Sequence, residues 1–136
     1  MAKNLVISAG AQDAMLDAFT ALLNDSGPGT IEYYSGAKPA GPGTAIGGQV
    51  RLAVLTLSVN AFGDASGGST TAGPIASGTG LADGTASWFR ARDGAGVAHA
   101  DGTLGVAAGQ FDIVIPTTTY AATSRPTPSI RCHGCT

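Results

Sequence analysis

At 136 residues and a formal net charge of −2, the chain fits one domain and leaves no room for a second full-sized core. Only 12% of its residues are charged, and Lys3, Lys38, Arg51, Arg90, Arg92, Arg125 and Arg131 are scattered without forming a basic block. That argues against nucleic acid as a direct partner, because counterion release needs several cations on one surface. The apolar runs are far shorter than the roughly 20 residues of a membrane-spanning helix, and the few apolar residues after Asn4 are too few for a signal peptide, so no membrane contact and synthesis in the cytoplasm are expected.

Gly accounts for 21 residues, and Ala, Thr and Ser fill much of the rest. Runs such as Leu52-Ala53-Val54-Leu55 and Phe111-Asp112-Ile113-Val114-Ile115 can still bury enough surface to oppose the ordering entropy of the chain. The expected fold is therefore mainly β, an antiparallel sandwich or barrel-like domain with one short N-terminal amphipathic helix. Three segments are expected: an extended arm over 1–8, a single β-rich domain over 9–123 and an extended tail over 124–136.

In chain order, Leu5-Val6-Ile7 reads as an apolar arm ending at Ser8-Ala9-Gly10. From Gln12 to Leu23, Met15, Ala18, Phe19, Leu22 and Leu23 recur at three- and four-residue spacing, with Asp13, Asp17 and Thr20 on the other side. This predicts one helix that buries the first set. Asn24-Asp25-Ser26-Gly27-Pro28-Gly29 stops it. Short β-type runs then alternate with Gly-rich connections. Strands are predicted at 30–35, 50–58, 85–92, 97–100, 102–106 and 110–115, with a further short one near Ile75.

Both faces of 50–58 are apolar, which places that strand centrally, beneath the helix or a neighbouring subunit. In 85–92, Trp88, Arg90 and Arg92 share a face opposite Phe89 and Ala91, so one face should border solvent or a partner. Tyr33 and Tyr34 point to opposite faces, one buried and one interfacial. Asp93-Gly94-Ala95-Gly96 is a hairpin signal, and Asp101-Gly102 marks another turn.

Candidate chemistry is sparse. Cys132-His133-Gly134-Cys135 could supply three zinc ligands, but only His99 remains to complete a set, so the motif reads as an incidental reduced terminus. No Gly-x-Ser-x-Gly elbow or phosphate-loop signature accompanies the serines and glycines. Asp83, Asp93, Asp101 and Asp112 fall among predicted turns, where Asp bonds its own backbone, in preference to a calcium cluster. No catalytic residue, cofactor or metal ligand is assigned.

The order of short motifs carries a resemblance. Gly-Thr-Ile-Glu-Tyr-Tyr-Ser-Gly-Ala-Lys-Pro-Ala at 29–40 follows the helix, then Leu-Ala-Val-Leu-Thr-Leu-Ser at 52–58, Gly-Thr-Ala-Ser-Trp-Phe-Arg-Ala at 84–91 and Asp-Gly-Thr-Leu-Gly at 101–105. Over residues 10–120 this resembles a family of small proteins encoded among the head and tail genes of siphophages and prophages. The chain departs from it after Thr117-Thr118-Thr119-Tyr120, where a further alternating β segment would be expected and a Pro-containing tail stands instead. The resemblance implies a virion structural protein with no enzymatic activity. A capsid decoration or cement subunit, contacting the major capsid protein and itself as a homotrimer, fits best. The alternatives are a tail, neck or head-tail connector component and a carbohydrate-binding virion protein. Leu5, Val6, Ile7, Tyr33, Trp88, Arg90 and Arg92 are the candidate interface residues.

Overall fold

The computed structural model describes residues 5–76, 78, 80–107, 113–115, 117–121 and 131–132. It is mainly β and sandwich-like, with one helix among the described residues, and it is not a closed barrel. Helix α1 spans Ala9–Leu23, and its N-cap is Ser8, whose side chain accepts a hydrogen bond from the Ala11 amide. That satisfies one of the orphan donors at the helix start and lets the helix begin three residues before the predicted Gln12.

The strands are β1 (Thr30–Tyr34), β2 (Arg51–Leu57), β3 (Ile75–Ala76), β4 (Gly84–Thr85), β5 (Trp88–Arg92), β6 (Ala98–Gly105), β7 (Ile113–Val114), β8 (Thr119–Tyr120) and β9 (Arg131–Cys132). Seven of them form one sheet in the order β3-β2-β1-β5-β6-β7-β9, and β4 pairs with β8 in a second. The pairings are antiparallel except β6 with β7.

Period-two alternation sorts the side chains onto two faces. One face is apolar: Ile31 and Tyr33 of β1, Leu55 and Leu57 of β2, Ala91 of β5 and Leu104 of β6 join Ala86, Ile113, Ile115 and Tyr120 in a single buried cluster. The second sheet closes over it, with the Tyr33 and Tyr120 rings meeting edge to face at 6.0 Å between centroids. Burial raises both phenols above their ordinary range.

Several expectations are corrected. β2 is second from the edge of the sheet, and its burial comes from within the chain. Ile75–Ala76 pairs with its end, Gly80 bridges to Ala53, and the Leu81 amide donates to the Leu52 carbonyl. Residues 97–106 contain no turn at Asp101-Gly102; one strand, β6, runs through both, because Asp101 is paired across the sheet with Arg90. Of the segment 124–136 only Arg131–Cys132 is among the described residues, and it pairs with Ile113–Val114, which leaves the expectation of an extended tail standing. His133, Gly134, Cys135 and Asp112 lie outside the described residues.

The helix is also turned from its predicted orientation. Leu23 and Thr20 are buried and Phe19 packs against the core, whereas Met15, Ala18 and Leu22 are exposed. Asp13 and Asp17 decide this: their carboxylates accept hydrogen bonds from the Gly68 and Ala65 amides, each at 2.7 Å, and hold the helix against the 61–69 loop. Of the polar side predicted to face water, Thr20 is buried and Asp13 partly so, while Asp17 stays exposed at the edge of the contact.

Candidate functional site

The other face of the large sheet is polar, and its centre is Glu32, in the middle of β1. Cross-strand register puts Arg90 of β5 beside it, and Arg90 in turn stands opposite Asp101 of β6. A register shift at Tyr33/Tyr34 brings Arg51 level with Tyr34, within reach of the same carboxylate. Glu32 therefore collects three partners: the Tyr34 hydroxyl donates at 2.5 Å, Arg92 at 2.9 Å and Arg51 at 3.2 Å. Burial alone would push the Glu32 carboxyl up, but the hydrogen bonds from Tyr34 and Arg92 and the charges of Arg92 and Arg51 outweigh it and hold the group below its ordinary value.

Beside this hub lies a second unit. Arg90 binds Asp101 through both ends of its guanidinium, Nε to Oδ1 at 2.7 Å and Nη2 to Oδ2 at 2.8 Å, a bidentate pair. The Arg90 guanidinium also lies 5.6 Å from the centroid of the Trp88 ring, which stacks on Tyr34 at 4.5 Å, so cation and aromatics form one layer.

The 35–50 loop covers that layer. Its carbonyls accept from the layer: Ser35 from Trp88 Nε1, Gly36 from Ser87 and Gly41 from Arg90. Gln49 braces the loop, donating to the Ala37 carbonyl and accepting from the Gly47 amide.

At the end of the β5–β6 hairpin, Asp93 is buried. One carboxylate oxygen accepts from the Ala95 and Val97 amides, and the other lies 2.9 Å from His99 Nε2. The His99 bond and the Val97 amide hold the Asp93 carboxyl below its ordinary value. The hairpin tip docks on the turn that follows the helix through the Gly94 amide, which donates to the Asp25 carbonyl. This confirms the predicted Asp93-Gly94-Ala95-Gly96 turn and gives it a second role.

The candidate interface residues thus divide. Tyr33, Trp88 and Arg90 are interior, at 2%, 0% and 2% exposure, and offer no surface to a neighbour; the partner expected over Trp88 and Arg90 is the chain's own 35–50 loop. Tyr34 is buried as well, so neither tyrosine is interfacial. Arg92 is half-buried and committed to Glu32 and the Gly96 carbonyl. Leu5, Val6 and Ile7 remain outside, with Leu5 and Val6 at 88% and 82% exposure.

Sequence reasoning missed Glu32. The available signal was a lone acid inside the β run Thr-Ile-Glu-Tyr-Tyr, where an unpaired carboxylate would be costly to bury. Among the described residues no group of three or more His, Cys, Asp and Glu could hold a metal ion, and no buried side-chain nitrogen or oxygen lacks a partner. The polar face is internally satisfied, and its chemistry is that of a rigid clamp between four strands and a loop.

Comparison with models of protein families, with curated proteins and with solved structures gives no match for this chain. No helix among the described residues is long and apolar enough to cross a membrane.

Proposed function

We propose that this chain is a non-enzymatic structural subunit of a tailed-phage particle, acting as a capsid decoration or cement protein that stabilises contacts between major capsid proteins. The observation that carries the reading is the arm. Leu5 and Val6 stand almost fully in water ahead of a capped helix, where each apolar side chain forgoes about 1.5–3 kcal/mol of burial. An extended apolar segment of this kind gains both burial and backbone hydrogen bonds by adding as a strand to a sheet edge of a neighbouring subunit. The resemblance of residues 10–120 to head and tail proteins of siphophages supplies the neighbour, the major capsid protein.

The double variant Leu5→Ser/Val6→Ser tests this while keeping the Ser8 cap. It should melt like the parent chain in isolation, bind purified capsids at least about tenfold more weakly, and leave them less resistant to heat. Undiminished binding and particle stability would overturn the reading. Negative-stain images of particles carrying a label on this subunit distinguish the capsid surface from the tail, neck or connector.

A further inference from the structure

We propose that residues 37–48 form a strap that opens as a unit while the sheet beneath it stays folded, baring Trp88 and Arg90. The first observation is how little holds the strap down. Between Ala37 and Gly48 only Pro39 is buried. Among the described residues one hydrogen bond ties this stretch to the sheet, from Arg90 Nη2 to the Gly41 carbonyl at 3.2 Å. The loop's other bonds to the strands lie at its roots, where the Ser35 amide donates to the Val50 carbonyl, the Ser87 hydroxyl to the Gly36 carbonyl and Trp88 Nε1 to the Ser35 carbonyl. A segment with so few buried apolar contacts and so few bonds to the body opens locally, at a free energy well below that of global unfolding.

Opening also leaves no polar group orphaned. The Gly41 carbonyl accepts from the Thr44 amide at 2.9 Å as well as from Arg90, so it keeps a partner when the strap lifts. Arg90 keeps both of its bonds to Asp101. The desolvation penalty of an unsatisfied donor or acceptor, which ordinarily locks a covering loop in place, therefore does not arise. What opening loses is one hydrogen bond and the burial of Pro39, and what it gains is the conformational freedom of a Gly-rich segment.

The strap has its own internal bracing. Gln49 joins its two ends, donating to the Ala37 carbonyl at 2.7 Å and accepting from the Gly47 amide at 2.9 Å, and the Thr44 amide closes a turn on Gly41. These bonds lie within the loop and survive opening, so the segment moves as one body. It has room to swing, because nothing stands within 4 Å of a Cβ built at Gly48 and only the Gln49 side chain, at 3.7 Å, approaches one at Gly47.

The result is a surface with two states. Closed, the Tyr34–Trp88 stack and the Arg90 guanidinium beside it are shut away from any neighbour. Open, Arg90 presents the donor that held Gly41 next to the exposed edge of the aromatic layer. This device does not depend on what the arm binds.

Trp88 is the chain's only tryptophan, so its selectively excited fluorescence reports on this surface. Acrylamide quenching of the full chain, with far-UV circular dichroism to follow the sheet, provides the readout. In rising urea, quenching of the parent chain should increase before the sheet signal falls. Pro39→Ser removes the buried anchor and should raise quenching by about threefold or more, with the urea midpoint of the sheet nearly unchanged. Gly47→Ala/Gly48→Ala restricts the open state more than the closed one and should lower quenching. Quenching that rises only as the sheet unfolds, that is unchanged in Pro39→Ser, or that is unchanged or raised in the glycine double variant would overturn the proposal. So would a Pro39→Ser midpoint that falls in step with the rise in quenching, since the strap would then belong to the cooperative core.

Discussion

Arg90 and Asp101 face one another across β5 and β6 with their side chains only 3% and 1% exposed, joined by two short parallel hydrogen bonds. Removing either partner strands a charge in the interior, which typically costs about 3–5 kcal/mol, whereas replacing both by apolar groups of similar volume costs far less. Arg90→Met and Asp101→Leu should therefore each lower stability by about that amount, and the double variant by much less than their sum. Urea unfolding of the four proteins measures this; additive losses would mean that the two side chains act independently.

Glu32 makes stability depend on pH in the acid range. Its folded-state value lies below the ordinary 4.5, so the unfolded chain takes up protons first as pH falls. The stabilisation is complete above the unfolded value and is lost as pH drops through the lower folded one. The parent chain should accordingly weaken below about pH 4.5. Glu32→Gln should be less stable at pH 7 and show a shallower acid limb, with Asp93, whose carboxyl is also held low, supplying what slope remains. Urea midpoints from pH 7 to pH 2.5, a span covering the carboxylate range, check this, and parallel pH profiles for the two proteins would refute it.

How much of this was legible follows from the range of the forces involved. β1, β2 and the β5–β6 turn are written in local runs and in Asp93-Gly94-Ala95-Gly96, because backbone preference and alternation act over a few residues. Asp101-Gly102 has the same turn composition, yet it lies inside β6 because Asp101 answers Arg90, 11 residues earlier. Counting register outward from the hairpin would have paired them, apart from the shift at Ala91/Arg92. The helix was located but misoriented: Asp13 and Asp17 look like a free solvent face by periodicity, and only the loop amides 48 and 55 residues downstream show that this side is tied to the 61–69 loop. The fate of Trp88 and Arg90 likewise rests on the 35–50 loop, whose Gly- and Pro-rich sequence does not encode where it folds back.

Gly29 marks a point where the helix exit, β1 and β5 crowd together. A Cβ there would collide with the Leu23 carbonyl oxygen and meet the Arg92 carbonyl oxygen at 2.5 Å; both are backbone atoms that cannot swing aside. Gly29→Ala should therefore destabilise by about 1–3 kcal/mol or more, whereas Gly10→Ala, with open space around the same position, should be neutral or slightly stabilising through helix propensity. Paired thermal melts distinguish this from a general intolerance of alanine.

The docking of α1 on the 61–69 loop rests on two side-chain acceptors and should be separable from global stability. Asp13 and Asp17 hold the Gly68 and Ala65 amides at 2.7 Å, and each such bond contributes about 1 kcal/mol net. Replacing both with Ala removes the acceptors while keeping good helix formers, so the sheet core should remain and the loop should open locally. Hydrogen exchange at Ala65 and Gly68 should accelerate by roughly tenfold or more, with little change at Leu52 and Leu55. The Asn pair retains a side-chain oxygen in the same place and should restore most of the protection. Acceleration spread evenly over β2 would show instead that the helix is integral to the core, and unchanged exchange at Ala65 and Gly68 would mean that the carboxylates do not hold the loop.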